Sequence, residues 1–127
     1  MTLTEKQEYN KRCAEFLGYK IIVDDLYDGA ITVQEGCNNP SFLHDRMPDE
    51  RWCVYPRFDS DWNWIMEVVE KIEKLDYWVC IQNTYVGIGK RNDEQPVIGY
   101  SYSSLTITKK EAIVSTIDKF LIWYKTI

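Results

Sequence analysis

Three segments of the chain place apolar residues every three or four positions, a spacing that predicts amphipathic helices. The first helix is predicted over residues 5–17, with a capping box that begins at Thr4 and a helix-ending glycine at Gly18. The last begins at a second capping box at Thr108 and continues to about Tyr124. In the last helix, Ile113, Ile117, Phe120 and Tyr124 form an apolar stripe.

The segment SDWNWIMEVVEKIEKL, residues 60–75, predicts the central helix, capped by Asp59 or Ser60. At about 100° per residue, Trp62 lies in the sector that holds most apolar residues, which predicts that it belongs to the core. Trp64 lies about 200° from Trp62, so the two rings cannot form one platform. Trp64 is predicted as a second packing contact or as a tryptophan left partly exposed. The apolar arc spans about 200°, wider than a helix lying on a sheet alone needs, which predicts a helix wedged between the sheet and a second layer, the aromatic loop or the C-terminal helix.

Runs of β-forming residues bounded by turn residues predict five strands: 19–23, 30–34, 77–83, 86–90 and 96–104. The first two form a hairpin, because Asp28-Gly29 is a tight-turn signal. The element order is α-β-β-loop-α-β-β-β-α. We therefore expect an α+β fold with a single domain over residues 1–127. In it, a largely antiparallel sheet of about five strands is covered by three helices.

The segment 36–58 shows no sustained periodicity and holds three of the four prolines. A loop of this length in a compact domain is either functional or contains unrecognised structure. Its aromatic residues Trp52, Tyr55 and Phe58 are expected to cover part of the core. They are also candidates for a contact surface, because aromatic residues are enriched at interface cores.

The formal net charge of −5 arises almost entirely within residues 21–50. This segment carries seven acidic residues against one base, Arg46. Asp24, Asp25 and Asp28 form its densest cluster and are candidate binding residues. An acidic surface opposes binding to a phosphate backbone and favours a basic partner, so another protein is the expected partner and nucleic acid is disfavoured.

The four cysteines are scattered and show no CxxC spacing, which is typical of core thiols in a reducing compartment. Cys37, His44 and Cys53 lack a fourth ligand and a closely spaced pair, so we expect no metal and no cofactor. No apolar run is long enough to span a membrane, and residues 1–12 lack the apolar stretch of a signal peptide. A cytoplasmic location without membrane contact is therefore expected.

Two other functions remain open as alternatives. A small hydrolase-type enzyme would have to use the Asp24, Asp25 and Asp28 carboxylates with His44, the single histidine. A nucleic-acid-associated protein would have to use a few separated basic residues: Lys90, Arg91, Lys109 and Lys110. The GxG of VGIGKRND leads into a predicted hairpin instead of a helix, which excludes a dinucleotide-binding loop.

Three stretches together resemble a known group: NKRCAEFLGYK (10–20), FDSDWNWIMEVVEKIE (58–73) and KKEAIVSTIDKFLIWYK (109–125). They resemble small proteins encoded in Bacteroidetes genomes and their phages, a set similar to the phage ABA-sandwich domain family. The resemblance implies a sheet lying between helices, an accessory gene of a phage or mobile element, and a bacterial host cell. It supplies no catalytic residue.

The function predicted from these observations is a non-enzymatic accessory protein of phage or mobile-element type that binds another protein. The candidate contact residues combine the acidic cluster, the aromatic residues of the long loop and the margin of the central helix. They are Asp24, Asp25, Asp28, Trp52, Tyr55, Phe58 and Trp64.

Overall fold

A computed structural model of the chain describes residues 1–24, 30–34, 45–46, 52–54 and 56–127. These residues group into two compact units, Met1–Arg57 and Phe58–Ile127. The single domain expected over residues 1–127 stays a prediction.

The first unit contains one helix and four short strands that pair antiparallel in the order β1-β2-β4-β3. Its elements are α1 (Leu3–Leu17), β1 (Ile21–Asp24), β2 (Ala30–Gln34), β3 (Asp45–Arg46) and β4 (Trp52–Val54). The hairpin of β1 and β2 has the predicted pairing, with Ile21 opposite Val33 and Asp24 opposite Ala30. The helix α1 contacts both strands of this hairpin.

The helix α1 begins earlier than predicted, because Thr2 is its N-cap instead of Thr4. The Thr2 hydroxyl accepts a hydrogen bond from the Glu5 backbone N–H at 3.1 Å. Thr2 and Glu5 have the same capping-box spacing as the predicted pair, and capping at the earlier site lengthens the helix. At the other end, Gly18 takes the left-handed conformation (φ 80°) and ends the helix as predicted.

The second unit contains two helices and a three-stranded antiparallel sheet in the order β5-β6-β7. Its elements are α2 (Trp62–Lys74), β5 (Tyr77–Ile81), β6 (Tyr85–Lys90), β7 (Pro96–Ser101) and α3 (Lys109–Tyr124). The helix α2 contacts β5, whereas α3 contacts β6 and β7. All five elements lie close to their predicted positions.

Alternation along the strands gives the second sheet two different faces. Val86 and Ile88 of β6 are buried, on the same face as Tyr77 of β5. The Tyr77 ring packs edge-on against Phe120 of α3 at a centroid distance of 5.0 Å, so this face is the one that α3 covers. The opposite face carries Trp78, which pairs with Gly89 across the ladder.

The predicted single sheet of about five strands is wrong, whereas the α+β class agrees with the structure. Only three of the five predicted strands form the sheet of the second unit, and the other two, β1 and β2, belong to the sheet that also contains β4 and β3. The strands β3 and β4 fall inside the segment predicted as a loop. They have two and three residues, too few to show the alternation by which a strand is recognised in a sequence.

The capping residue of α3 is the predicted one, whereas that of α2 differs from the prediction. Thr108 caps α3 as predicted: its hydroxyl oxygen accepts from the Glu111 N–H at 3.1 Å. Asp61 caps α2 by accepting from the Asn63 N–H at 2.8 Å, so the prediction of Asp59 or Ser60 is wrong by one or two residues. No helix in the described part of the chain has the length and apolar character needed to cross a membrane.

Candidate functional site

Phe58 and Trp64 pack against each other inside the second unit. Phe58 has no exposed surface and Trp64 is 2 % exposed. The two rings meet edge-on, with centroids 4.8 Å apart and planes at 88°, a favourable aromatic geometry. Because both rings are enclosed, neither offers a surface to a partner, and of the two options for Trp64 the structure selects packing.

The helix α2 exposes two of its apolar residues, Trp62 (44 %) and Met66 (39 %). The prediction that Trp62 belongs to the core is therefore wrong. The buried residues of α2 span about 140° of the helix circumference. They are Trp64, Ile65, Val68, Val69 and Ile72. Trp62 and Met66, one turn apart, occupy the remaining margin of the apolar arc, which the unit leaves uncovered.

The exposed Trp62 ring is accompanied by a cation from α3. The Lys110 ammonium nitrogen lies 5.2 Å from the ring centroid, within the range of a cation–π interaction. Lys110 belongs to the first turn of α3, so the Thr108 cap fixes the backbone that carries it. We call Trp62, Met66 and Lys110 the Trp62 surface.

The carboxyl group of Glu67 on α2 has an altered pKa. Burial raises its pKa from 4.5 to about 7, and the neighbouring Glu70 carboxylate contributes in the same direction. Glu67 is therefore partly protonated near neutral pH. This residue was absent from the predicted site residues, because its burial depends on packing that the sequence pattern does not show.

Large aromatic side chains lie flat over glycines on the sheet face opposite α3. A Cβ atom at Gly89 would lie 2.2 Å from Cζ2 of Trp78, so this ring rests directly on the glycine backbone. The Trp78 indole N–H also donates to the Asp93 carbonyl at 2.8 Å. Tyr85 covers Gly87 in the same way, since a Cβ there would lie 2.5 Å from the Tyr85 hydroxyl oxygen.

A cleft of about 430 Å³ opens beside the start of β5. Glu73, Asp76 and Arg91 line it together with Tyr77, Trp78, Val79 and Asn92. Arg91 donates to an Asp76 carboxylate oxygen at 3.1 Å, and both side chains are more than 70 % exposed. Water and salt screen such a pair, so it contributes little to stability.

The remaining predicted contact residues stay predictions. Asp24 is the last residue of β1, and Trp52 is the first residue of β4, paired with Arg46. Asp25, Asp28 and Tyr55 lie outside the described residues.

Of the residues named for the two alternative functions, the structure describes Asp24 and the four basic residues. His44 of the hydrolase hypothesis lies outside the described residues, as does Cys37 of the weighed metal ligands. No group of three potential metal ligands occurs among the described residues. The four basic residues have separate contacts: Lys90 with the Trp123 ring, Arg91 with Asp76, Lys109 with Asn83 and Lys110 with the Trp62 ring.

No protein-family model, no curated protein and no solved structure matches this chain. The resemblance to the phage ABA-sandwich family therefore stays a prediction. The described geometry is the basis for a functional proposal.

The width of the apolar arc on α2 is the feature of the sequence that corresponds to the Trp62 surface. The apolar arc of about 200° is wider than the second unit buries. Its width predicted a helix wedged between two layers. In the structure, the part of the apolar arc that is not buried includes Trp62 and Met66, which are exposed.

Proposed function

We propose that this protein acts without catalysis, by binding another protein through the Trp62 surface. The observation that carries this proposal is the exposed apolar margin of α2 at Trp62 and Met66. Scattered exposed aliphatic residues are ordinary, but an exposed tryptophan with an apolar neighbour one turn away is typical of an interaction site.

The chemistry of the surface suits a protein partner. Tryptophan dominates interface hot spots because one ring removes a large area from water while ordering few torsions. Lys110 over the Trp62 ring restricts its movement before binding, which lowers the entropy lost on association. Met66 has a flexible thioether side chain that adapts to the shape of the partner.

The role as an accessory protein of a phage or mobile element belongs to the same proposal and rests on the resemblance of residues 10–20, 58–73 and 109–125. The acidic residues of segment 21–50, including Asp24, Asp25 and Asp28, would increase the association rate with a basic partner. This electrostatic increase of the association rate weakens as ionic strength rises. The affinity that comes from burying Trp62 against the partner does not depend on ionic strength in this way.

The test is a comparison of partners recovered from bacterial host lysate by the wild-type chain and by a Trp62→Ser/Met66→Ser variant. We expect the variant to lose a specific partner. Affinity for that purified partner should fall at least about tenfold, the effect of losing one hot-spot residue. Circular dichroism checks that the variant is folded, which we expect because both side chains lie at the surface.

Ile122→Ser is the matched control, because Ile122 is 49 % exposed on α3 and is not part of the Trp62 surface. This variant should keep the partner with unchanged affinity. A partner bound equally well by the Trp62→Ser/Met66→Ser variant contradicts the proposed surface. An Asp24→Asn/Asp25→Asn variant tests steering separately, and should reduce the association rate more than it raises the dissociation rate.

A further inference from the structure

The strand β5 is an edge of the second sheet, and its outer backbone groups have no strand to pair with in the described part of the chain. The bond from Gln82 N–H to the Tyr85 carbonyl (2.8 Å) closes the hairpin between β5 and β6. Hydrogen-bonded pairs alternate along an antiparallel ladder, so Trp78 and Cys80 direct their backbone groups at β6. Tyr77, Val79 and Ile81 therefore direct their N–H and C=O groups away from the sheet.

The two edges of this sheet are protected to different extents. The opposite edge, β7, begins with Pro96, and its pairing with β6 shifts register between Ile88 and Gly89 of β6. Proline and an irregular ladder both disfavour pairing of an edge with another strand. The sequence of β5, YWVCI, has neither proline, glycine nor charge. Natural sheets seldom leave such a strand open, because an unprotected apolar edge pairs with other strands.

The start of β5 is open to solvent. A cleft of about 430 Å³ lies there, lined by Tyr77, Trp78 and Val79 of the strand and by Glu73, Asp76, Arg91 and Asn92. Val79 and Ile81 are only half-buried, so their side chains retain apolar surface that a neighbouring strand would cover.

We propose that β5 pairs with β5 of a second copy of this chain, antiparallel and about a two-fold axis at Val79. Two three-stranded sheets would thereby become one six-stranded sheet. Tyr77 then stands opposite Ile81 of the second copy, and Trp78 opposite Cys80 of the second copy. A two-fold interface uses the same patch twice, so each favourable contact occurs in duplicate.

The distribution of charge at the two ends of β5 favours a second copy as the occupant. Glu73, Asp76 and Arg91 lie at the start of the strand and together carry one negative charge. At the other end, the Lys109 ammonium donates to the Asn83 side chain at 3.1 Å. In the antiparallel register the start of one β5 meets the end of the other, so each acidic end faces a lysine.

The test measures self-association by analytical ultracentrifugation over a wide dilution series of the full chain. We expect a monomer–dimer equilibrium for the wild type. Val79→Pro removes the N–H that would donate across the axis in both copies, and the dimer dissociation constant should rise at least about 30-fold. Proline is tolerated at an edge position whose N–H points outward, so the monomer should remain folded.

Charge reversal tests the register without altering β5. Glu73→Lys and Lys109→Glu should each weaken the dimer about tenfold, because each places like charges together at both ends. Both substitutions suit their helix termini: lysine in the last turn of α2 and glutamate in the first turn of α3. The Glu73→Lys/Lys109→Glu double variant should restore wild-type association. Glu8→Lys, a charge-matched control on the exposed side of α1, should leave it unchanged.

Hydrogen exchange supplies an independent measurement on the wild type. Amide protection at Val79 should increase with protein concentration, while Val97 of β7 should show no such increase. A chain that stays monomeric at every concentration overturns the proposal. A dimer that forms equally well with Val79→Pro overturns it too, because the contact then lies elsewhere, and so does a failure of the double variant to restore association.

Discussion

At the scale of single residues, two tryptophans two positions apart have opposite environments. Trp64 is enclosed beside Phe58, whereas Trp62 is 44 % exposed with only Lys110 over its ring. Both have the same side chain, belong to the same helical turn and are equally apolar. Their energetic contributions therefore differ through burial and through these neighbours, which makes them a natural pair for comparison.

Trp64→Ala should lower the free energy of unfolding by about 3–5 kcal/mol, because it removes a buried ring and leaves a cavity. Trp62→Ala should change it by less than about 1 kcal/mol, since only an exposed packing contact and one cation–π interaction are lost. Urea denaturation followed by circular dichroism measures both values. Equal effects of the two substitutions would contradict the assignment of Trp64 to the core.

Glu67 should make stability depend on pH in an identifiable interval. Its pKa is about 7 in the folded chain against 4.5 for an ordinary glutamate, so the folded state binds more protons than the unfolded state between these values. The free energy of unfolding therefore falls as pH rises from about 4.5 to about 7. After allowance for partial exposure, we expect a loss on the order of 1 kcal/mol.

Substitution of Glu67 tests this assignment. Glu67→Gln should remove the pH dependence over this interval and be more stable than the wild type above pH 7. Glu70→Gln is the control: it keeps the titrating group and removes only the secondary cause of its raised pKa. Its effect should have the same sign and be smaller. A Glu67→Gln variant that keeps the full wild-type pH dependence would contradict the raised pKa.

At the scale of elements, the sheet β5–β7 depends on close contact between aromatic rings and glycine backbone. Trp78 lies so close to Gly89 that any side chain there must displace the ring and break the indole hydrogen bond to Asp93. The glycines of VGIGK are thus explained by aromatic packing, from Trp78 of the neighbouring strand on Gly89 and from Tyr85 of the same strand on Gly87, and no phosphate ligand is needed to account for them.

Gly89→Ala should destabilise the chain by about 1–3 kcal/mol, the usual cost of overpacking. In a Trp78→Ala background the same substitution should cost less than about 1 kcal/mol, because the displaced ring is gone. A double-mutant cycle in urea measures the coupling. Gly99→Ala is the milder comparison, since its nearest neighbour would lie at 3.0 Å. Additive effects of Trp78→Ala and Gly89→Ala would contradict the close contact.

At the scale of the whole molecule, the net charge of −5 and an isoelectric point near 4.9 oppose nucleic-acid binding. Each of the four basic residues considered for this role has its own contact within the second unit.

The charge distribution predicts that the protein does not bind nucleic acid, which a gel-shift experiment can test. We expect no complex with duplex DNA or single-stranded RNA at about 0.1 M salt, where counterion release is the main source of non-specific affinity. An electrophoretic mobility series over decreasing salt is the measurement. A complex that strengthens as salt is lowered, and that Lys109→Glu/Lys110→Glu abolishes, would contradict this expectation.

The sequence by itself determined the local elements of this protein. Helix periodicity, the capping pair at Thr108 and Glu111, the glycine at Gly18 and the β-forming runs placed three helices and five strands close to their observed positions. These signals are local because the groups that satisfy a helix end or close a turn lie within a few residues of it. The class of fold followed from their order.

Tertiary structure alone decided how these elements combine. The strands belong to two sheets, and β4, which pairs with β2 in the first of them, is too short to show a pattern in the sequence. Tertiary packing also determines which sector of α2 faces inward: it buries Trp64 and leaves Trp62 and Met66 exposed. The width of an apolar arc sets how much apolar surface a helix can bury. Only the neighbouring elements determine which part of that surface is removed from water.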